Sequence, residues 1–143
     1  TFEAAAFLRR SGADTGDVKK LFQNDLEGTI AKYDIIQNAK MYHEGIAVAK
    51  VDHTVGRITA AQAADELLNI SGIDTSFVLF PDQEGRVILS ARSMGDVNVQ
   101  VVLEKLGGGG HLNMAGVQLE CSMEEAMKLI RETLDQMFEE GEL

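Results

Sequence analysis

The sequence is short of the residues that would bind it covalently, break it or anchor it. It has one cysteine and one proline among 143 residues. The lone Cys121 excludes an internal disulfide and points to a reducing compartment. No apolar run approaches the ~20 residues that a helix needs to cross a bilayer. Basic residues are scarce as well, 13 against 23 acidic ones, for a net charge of −10. That balance opposes binding of duplex DNA or long RNA through a broad basic face. What remains is a globular composition, 45% hydrophobic and 25% charged, long enough for one domain with its own core.

The charge is unevenly spread. Residues 120–143 hold eight acidic and two basic side chains, a net −6. Residues 86–111 hold Arg86, Arg92 and Lys105 against Asp96 and Glu104, a net +1. Within this locally positive stretch lies Gly107-Gly108-Gly109-Gly110-His111. Four successive glycines lose more backbone entropy on ordering than any other tetrapeptide, so they suit neither helix nor strand. They suit a loop of unusual φ/ψ whose bare N–H groups can face an anion. The histidine adds a titratable donor near neutral pH. A single Gly107 is fully explained as a helix C-cap, but three more are not. The loop therefore reads as a contact for a phosphate-bearing ligand, through Gly108, Gly109, Gly110 and His111.

Periodicity supplies the frame. Residues 2–10 read as a helix ending near Ser11-Gly12, and Thr15 as the cap of a short second one through Val18, Leu21 and Phe22. A third helix is expected from about Leu26 to Tyr42, with Leu26, Ile30, Tyr33 and Ile36 on one side. Residues 45–51 form an almost wholly apolar strand, as a central strand would. Thr59 to Gln62 has the spacing of a capping box and opens a helix through Leu67 and Leu68. Strands follow at Ser76–Phe80 and 86–91, joined by turn residues 81–85. Asp96 or Asn98 caps a helix with Val99, Val102, Leu103 and Leu106 inward, and the glycine loop ends it. Val117, Leu119 and Cys121 alternate as a last strand. Ser122 to Glu125 is a second capping box, ahead of a helix striped by Met123, Met127, Ile130, Leu134 and Met137.

From residue 45 the order is β-α-β-β-α-β-α. This predicts an α/β fold, a mixed sheet of about four to five strands flanked by helices and preceded by a helical segment. Two parts are expected, a helical tail and linker over 1–43 and a ligand-binding domain over 44–143. The opening residues are already helical in pattern and carry no initiator Met, so the chain reads as a piece of a longer protein.

Arg92, at the end of its strand, is the residue type that grips phosphate bidentately. Ser93 and Asn98 offer polar contacts nearby, although Asn98 is also a natural helix cap. Asp52-His53 suggests a metal site, but His43 is the only other upstream histidine. Two-metal phosphodiester chemistry needs more Asp and His ligands, around ions about 4 Å apart. No metal is expected to bind here. Cys121 and the methionines read as packing residues.

Three segments together carry a resemblance: Ser90-Ala91-Arg92-Ser93, Asn98-Val99-Gln100, and Gly107 to His111 with the trailing Ala115-Gly116. They resemble the DHHA1 domain, the C-terminal half of the DHH family of phosphoesterases, over about residues 45–140. Met114 stands where many members have alanine. The first 14 residues resemble the end of the DHH domain in membrane-anchored bacterial cyclic-di-AMP phosphodiesterases of the GdpP/YybT type.

The resemblance implies a substrate-recognition domain for cyclic di-AMP or a short oligonucleotide. Arg92, Ser93, Asn98, Gly108, Gly109, Gly110 and His111 would touch substrate, with His111 supporting charge in the transition state. Manganese and the attacking water would belong to a DHH domain upstream, so the chain alone is expected to be inactive. It would be a cytoplasmic domain without membrane contact of its own, in a parent anchored in the bacterial membrane. The alternatives are a nanoRNase-like domain acting on short linear oligonucleotides and an RNA-binding accessory domain like that of alanyl-tRNA synthetases. The oligomeric state is left open.

Overall fold

A computed structural model describes residues 26–95, 97–110 and 114–141. The first two expected helices lie outside these residues, as do Asp96 and His111. The described elements are α1 (Leu26–Gln37), β1 (Ala39–Met41), β2 (Ile46–Lys50), α2 (Arg57–Leu67), β3 (Thr75–Pro81) and β4 (Val87–Ser93). They continue with α3 (Val99–Glu104), β5 (Gly109–Gly110), β6 (Met114–Leu119) and α4 (Met123–Glu139).

The strands form one mixed sheet in the order β1-β2-β3-β4-β6-β5. Only β2 and β3 run parallel, and α2 is the crossover between them. The other pairs are antiparallel. The α/β class expected from the order of elements is therefore the one observed, with six strands rather than four or five.

Both extra strands are short pieces at the edges. The helix expected to reach Tyr42 stops at Gln37, where Asn38 turns the chain with its N–H on Ile35 O at 3.0 Å. The next three residues pair with β2. Gly109 and Gly110 pair with Gly116 and Ala115, so half of the expected loop is a strand. A propensity reading misses this, because the pairing depends on close backbone approach and not on side chains.

Each face of the sheet has its own core. On one face Phe77, Leu79, Leu89, Ala91, Ala115 and Val117 meet Val99, Val102 and Leu103 of α3 and Ala126, Ile130, Leu134 and Met137 of α4. On the other, Ala47, Ala49, Val78 and Phe80 meet Ile35 of α1 and Ala60, Ala63, Ala64 and Leu67 of α2. The alanines let α2 lie close to the strands, and Ser76 Oγ donates to Ala64 O at 2.7 Å.

Several local expectations change. The buried residues of α1 are Lys32, paired with Glu66 at 3.8 Å, and Ile35, while Leu26, Ile30 and Tyr33 face outward. Helix α2 opens at Arg57 behind Gly56, without a side-chain cap, so Thr59 is inside the helix and not its cap. The Ser122 cap is present, accepting from Glu125 N–H at 3.2 Å. Cys121 lies past the end of β6 and is half-buried against the first core, which pushes its thiol pKa up.

Candidate functional site

The two helices of the second face cover only β2 and β3 with their neighbours. Alternation along β6 buries Ala115, Val117 and Leu119 and leaves Met114, Gly116 and Gln118 exposed. Along β4, half-buried Ser90 and Arg92 share that outward face, since Ser90 is opposite Gly116 and Arg92 opposite Met114. The result is a groove floored by β4 and β6 and walled by α2.

One part of the groove, about 470 Å³, is lined by Arg57, Ala61, Ser90, Arg92, Gly110 and Gly116 among others. An adjoining part of about 380 Å³ is lined by Arg57, Ile88, Gly109, Gly116, Val117 and Gln118. Both fall in the range of small-ligand sites. Gly116, opposite Ser90, leaves the floor low between them.

Arg92 is firmly held. Its Nε is 3.1 Å from Asp65 Oδ1, and its Nη1 donates to Ala91 O at 2.9 Å and to Ser90 Oγ at 3.4 Å. Among the described residues its Nη2 has no hydrogen-bond partner. Its side chain is 13% exposed, so the guanidinium is largely desolvated where it faces the groove. Arg57 sits at the first turn of α2, exposed, and lines both parts of the groove. Nearby Arg86 is tied to Asp82 at 2.9 Å and Glu84 at 2.7 Å. With its amide oxygen turned toward Arg86, Gln118 accepts from Arg86 Nε at 2.6 Å. Burial pushes the Asp82 carboxyl up, but the hydrogen bonds from Arg86 and from Glu84 N–H together outweigh it and hold the carboxyl below its usual value.

The four glycines have different reasons to be glycine. Gly107 has φ +90° and donates to Glu104 O at 3.1 Å, closing α3. The N–H of Gly108 goes to Leu103 O at 2.7 Å, which takes it from any anion. A Cβ on Gly108 would overlap Val117 and Gly116 O. A Cβ on Gly110 would overlap Met114 O and Ala115, and its φ is +150°. Gly109 alone has open space around its Cβ position and no positive φ. The fold gives no reason for glycine there.

The structure thus brings Arg92, Gly109 and Gly110 to one groove. It takes Ser93 away: the side chain points to the opposite face of β4, is buried, and accepts from Gly95 N–H at 3.0 Å. Asn98 is used as the α3 cap, accepting from Val101 N–H at 3.3 Å. The resemblance also named His111, which follows Gly110 outside the described residues. Sequence reasoning missed Arg57, Gly116 and Gln118 as groove residues, and Asp65 as the partner of Arg92. The outward register of Gly116 and Gln118 was available from the alternation of β6. Arg57, Ala61 and Asp65 stand four apart on one helical face, but only the docking of α2 shows what that face meets.

The remaining histidines are engaged elsewhere. His53 pairs with Asp34 at 3.3 Å. His43 Nε2 is 2.8 Å from Asp135, which also accepts from Tyr42 at 2.6 Å. Burial and that hydrogen bond push the Tyr42 hydroxyl up to about 12. Among the described residues no three of His, Cys, Asp and Glu converge as donors to an ion would. No described helix is long and apolar enough to cross a membrane.

Comparison with known proteins gives the family and the fold. Residues 43–140 match the DHHA1 domain family. A Geobacillus thermodenitrificans protein named Cyclic-di-AMP phosphodiesterase GdpP is 44% identical over 144 residues, 99% of this chain and 22% of that protein. The Listeria monocytogenes Cyclic-di-AMP phosphodiesterase PdeA is 40% identical over 94% of this chain and 21% of its own length. The chain therefore spans about a fifth of these relatives. Among solved structures, an exopolyphosphatase-related protein from Bacteroides fragilis shares the fold at TM-score 0.78 and 22% identity, over 95% of this chain and 43% of that one. The C-Ala domain of Aquifex aeolicus alanyl-tRNA synthetase shares it at TM-score 0.52 and 22% identity, over 66% of this chain and 97% of that one. By sequence, this chain belongs to the DHHA1 domain family.

Proposed function

We propose that the groove between α2 and β6 binds a phosphate-bearing dinucleotide and that the chain is the substrate-recognition part of a phosphodiesterase. The observation that carries this is Gly109. Neither backbone nor packing requires glycine there, and its open surface lines the part of the groove that holds Arg57, beside the part that holds Arg92. A ligand approaching the backbone closely supplies the missing reason.

In this reading Arg92 Nη2 donates to a phosphate oxygen, a charge-assisted hydrogen bond of the stronger kind. Arg57 offers a second positive contact along the same groove. Ser90 and Gln118 provide polar contacts, and the low floor at Gly116 admits a flat base. His111, next in the chain after Gly110, donates to a non-bridging oxygen and supports charge in the transition state. Gly108 shapes the loop without lending its amide, and Ser93 and Asn98 hold the loops around it. The 40–44% identity to proteins named as cyclic-di-AMP phosphodiesterases supports adenine dinucleotides as the ligand class. The metal and the attacking water are assigned to a DHH domain upstream, in a membrane-anchored parent whose DHHA1 part is cytoplasmic.

The test is titration of the chain with linear di-adenylate and with cyclic di-AMP, followed by amide shifts at 107–110. Saturable shifts are expected, at least tenfold weaker binding in Gly109→Ala, and unfolding stability within about 0.5 kcal/mol of the parent chain. Equal binding by Gly109→Ala would overturn the reading. The chain with manganese is expected to leave cyclic di-AMP intact. Robust cleavage would show that the catalytic groups are present after all.

A further inference from the structure

We propose that Asp65 is a positioning residue, which holds the Arg92 guanidinium in the orientation that receives phosphate. The inference rests on the groove being the ligand site.

Arg92 has five N–H donors in a rigid planar fork. Two of its nitrogens have partners in the fold. Nε meets Asp65 Oδ1 at 3.1 Å, and Nη1 meets Ala91 O at 2.9 Å. Two partners, an ion pair from α2 and a carbonyl of the strand itself, restrict the group, and among the described residues Nη2 has no hydrogen-bond partner. A long side chain otherwise rotates freely, and ordering it on binding costs much of what the hydrogen bond returns. Here that ordering is completed on folding.

Tertiary packing puts Asp65 in place. Ala60, Ala63 and Ala64 are fully buried under α2, and Ser76 Oγ pins the helix through Ala64 O at 2.7 Å. The residue after that pinned carbonyl is Asp65. Arg57, Ala61 and Asp65 then run along the groove wall, one cation at the open end and one anion beside Arg92.

The same carboxylate also opposes an incoming phosphate. It is 64% exposed, so water and salt weaken that repulsion over the longer distance to the ligand. The direct contact to Nε is short and keeps its effect. Holding is therefore expected to outweigh repelling.

Linear di-adenylate binding to the 143-residue chain is measured for the parent chain, Asp65→Asn, Asp65→Ala and Arg92→Ala, with melting temperatures alongside. Asp65→Asn keeps an oxygen acceptor at the same place. It is expected to bind within about twofold of the parent chain, whereas Asp65→Ala weakens binding three- to tenfold without a matching fall in melting temperature. Hydrogen exchange at Arg92 Nε–H is expected to be slow in the parent chain and fast in Asp65→Ala, with or without ligand. Unchanged or tighter binding by Asp65→Ala would overturn the proposal, because the carboxylate would then be a competitor. Fast Nε–H exchange in the parent chain would overturn it as well. If Arg92→Ala also binds normally, the groove reading falls with it. If only the Asp65 variants are silent, the groove reading stands.

Discussion

The two faces of the β4–β6 half of the sheet have opposite tasks. One face is closed: Leu89, Ala91, Ala115, Val117 and Leu119 lie under α3 and α4 with Leu103, Ile130 and Leu134. The other is open: Ser90, Arg92, Gly116 and Gln118 alternate with those same residues and face the groove. A strand whose side chains alternate can serve a core and a ligand at once, because successive residues point to opposite sides. Losses on the closed face should be read in stability and losses on the open face in binding.

The largest expected break in this comparison is on the closed side. Leu134→Ala empties a fully buried site and should cost about 3 kcal/mol in urea unfolding. Gly110→Ala blurs the distinction, because Gly110 lines the groove yet packs on Met114 O and Ala115. It should lose about 2–3 kcal/mol through strain and overpacking, also measured in urea. Arg92→Ala is the opposite case. Dinucleotide affinity should fall by roughly 30-fold, about 2 kcal/mol, in calorimetric titration, with the unfolding midpoint far less affected.

Asn98→Ala separates cap from contact. Loss of the α3 cap should cost about 1 kcal/mol in stability, and affinity should hold if Asn98 touches no ligand. The smallest effect is expected far from the groove. Hydrogen bonds from Tyr42 and His43 hold the Asp135 carboxyl below its usual value of 3.8. A depressed carboxylate stabilises the fold above the unfolded pKa, and that contribution is lost as pH falls through the folded value. Melting temperatures taken downward from pH 5 should fall slightly more steeply in the parent chain than in Asp135→Asn. Ligand affinity should be indifferent to that substitution.

Much of the closed face was legible in the sequence. Leu103, Ile130, Leu134 and Met137 fall at helical spacing, and Val117 and Leu119 alternate, so their burial follows from period alone. The place of Arg92 near a strand end was legible as well. The glycine run was legible as unusual, but its four members could not be told apart. Gly107 closes a helix, Gly108 and Gly110 make room for β6, and only Gly109 has neither reason to be glycine. That division depends on atoms from β6, which no local pattern contains. The edge strands β1 and β5 were missed for the same reason, since three and two residues carry too little period to read.

The sequence by itself determined the α/β class, the order of elements from residue 45 apart from β5, and the family, through short-range chemistry: alternation, helical spacing, and a glycine run after S-x-R-S. Tertiary structure decided which residues share the groove. Arg57 and Asp65 precede Arg92 by more than 25 positions and Gly116 follows it by more than 20. Alanines under α2 and bare backbone between β5 and β6 let distant segments come close enough to make one surface. Close packing is a property of the pairs that meet, and a single segment does not encode it.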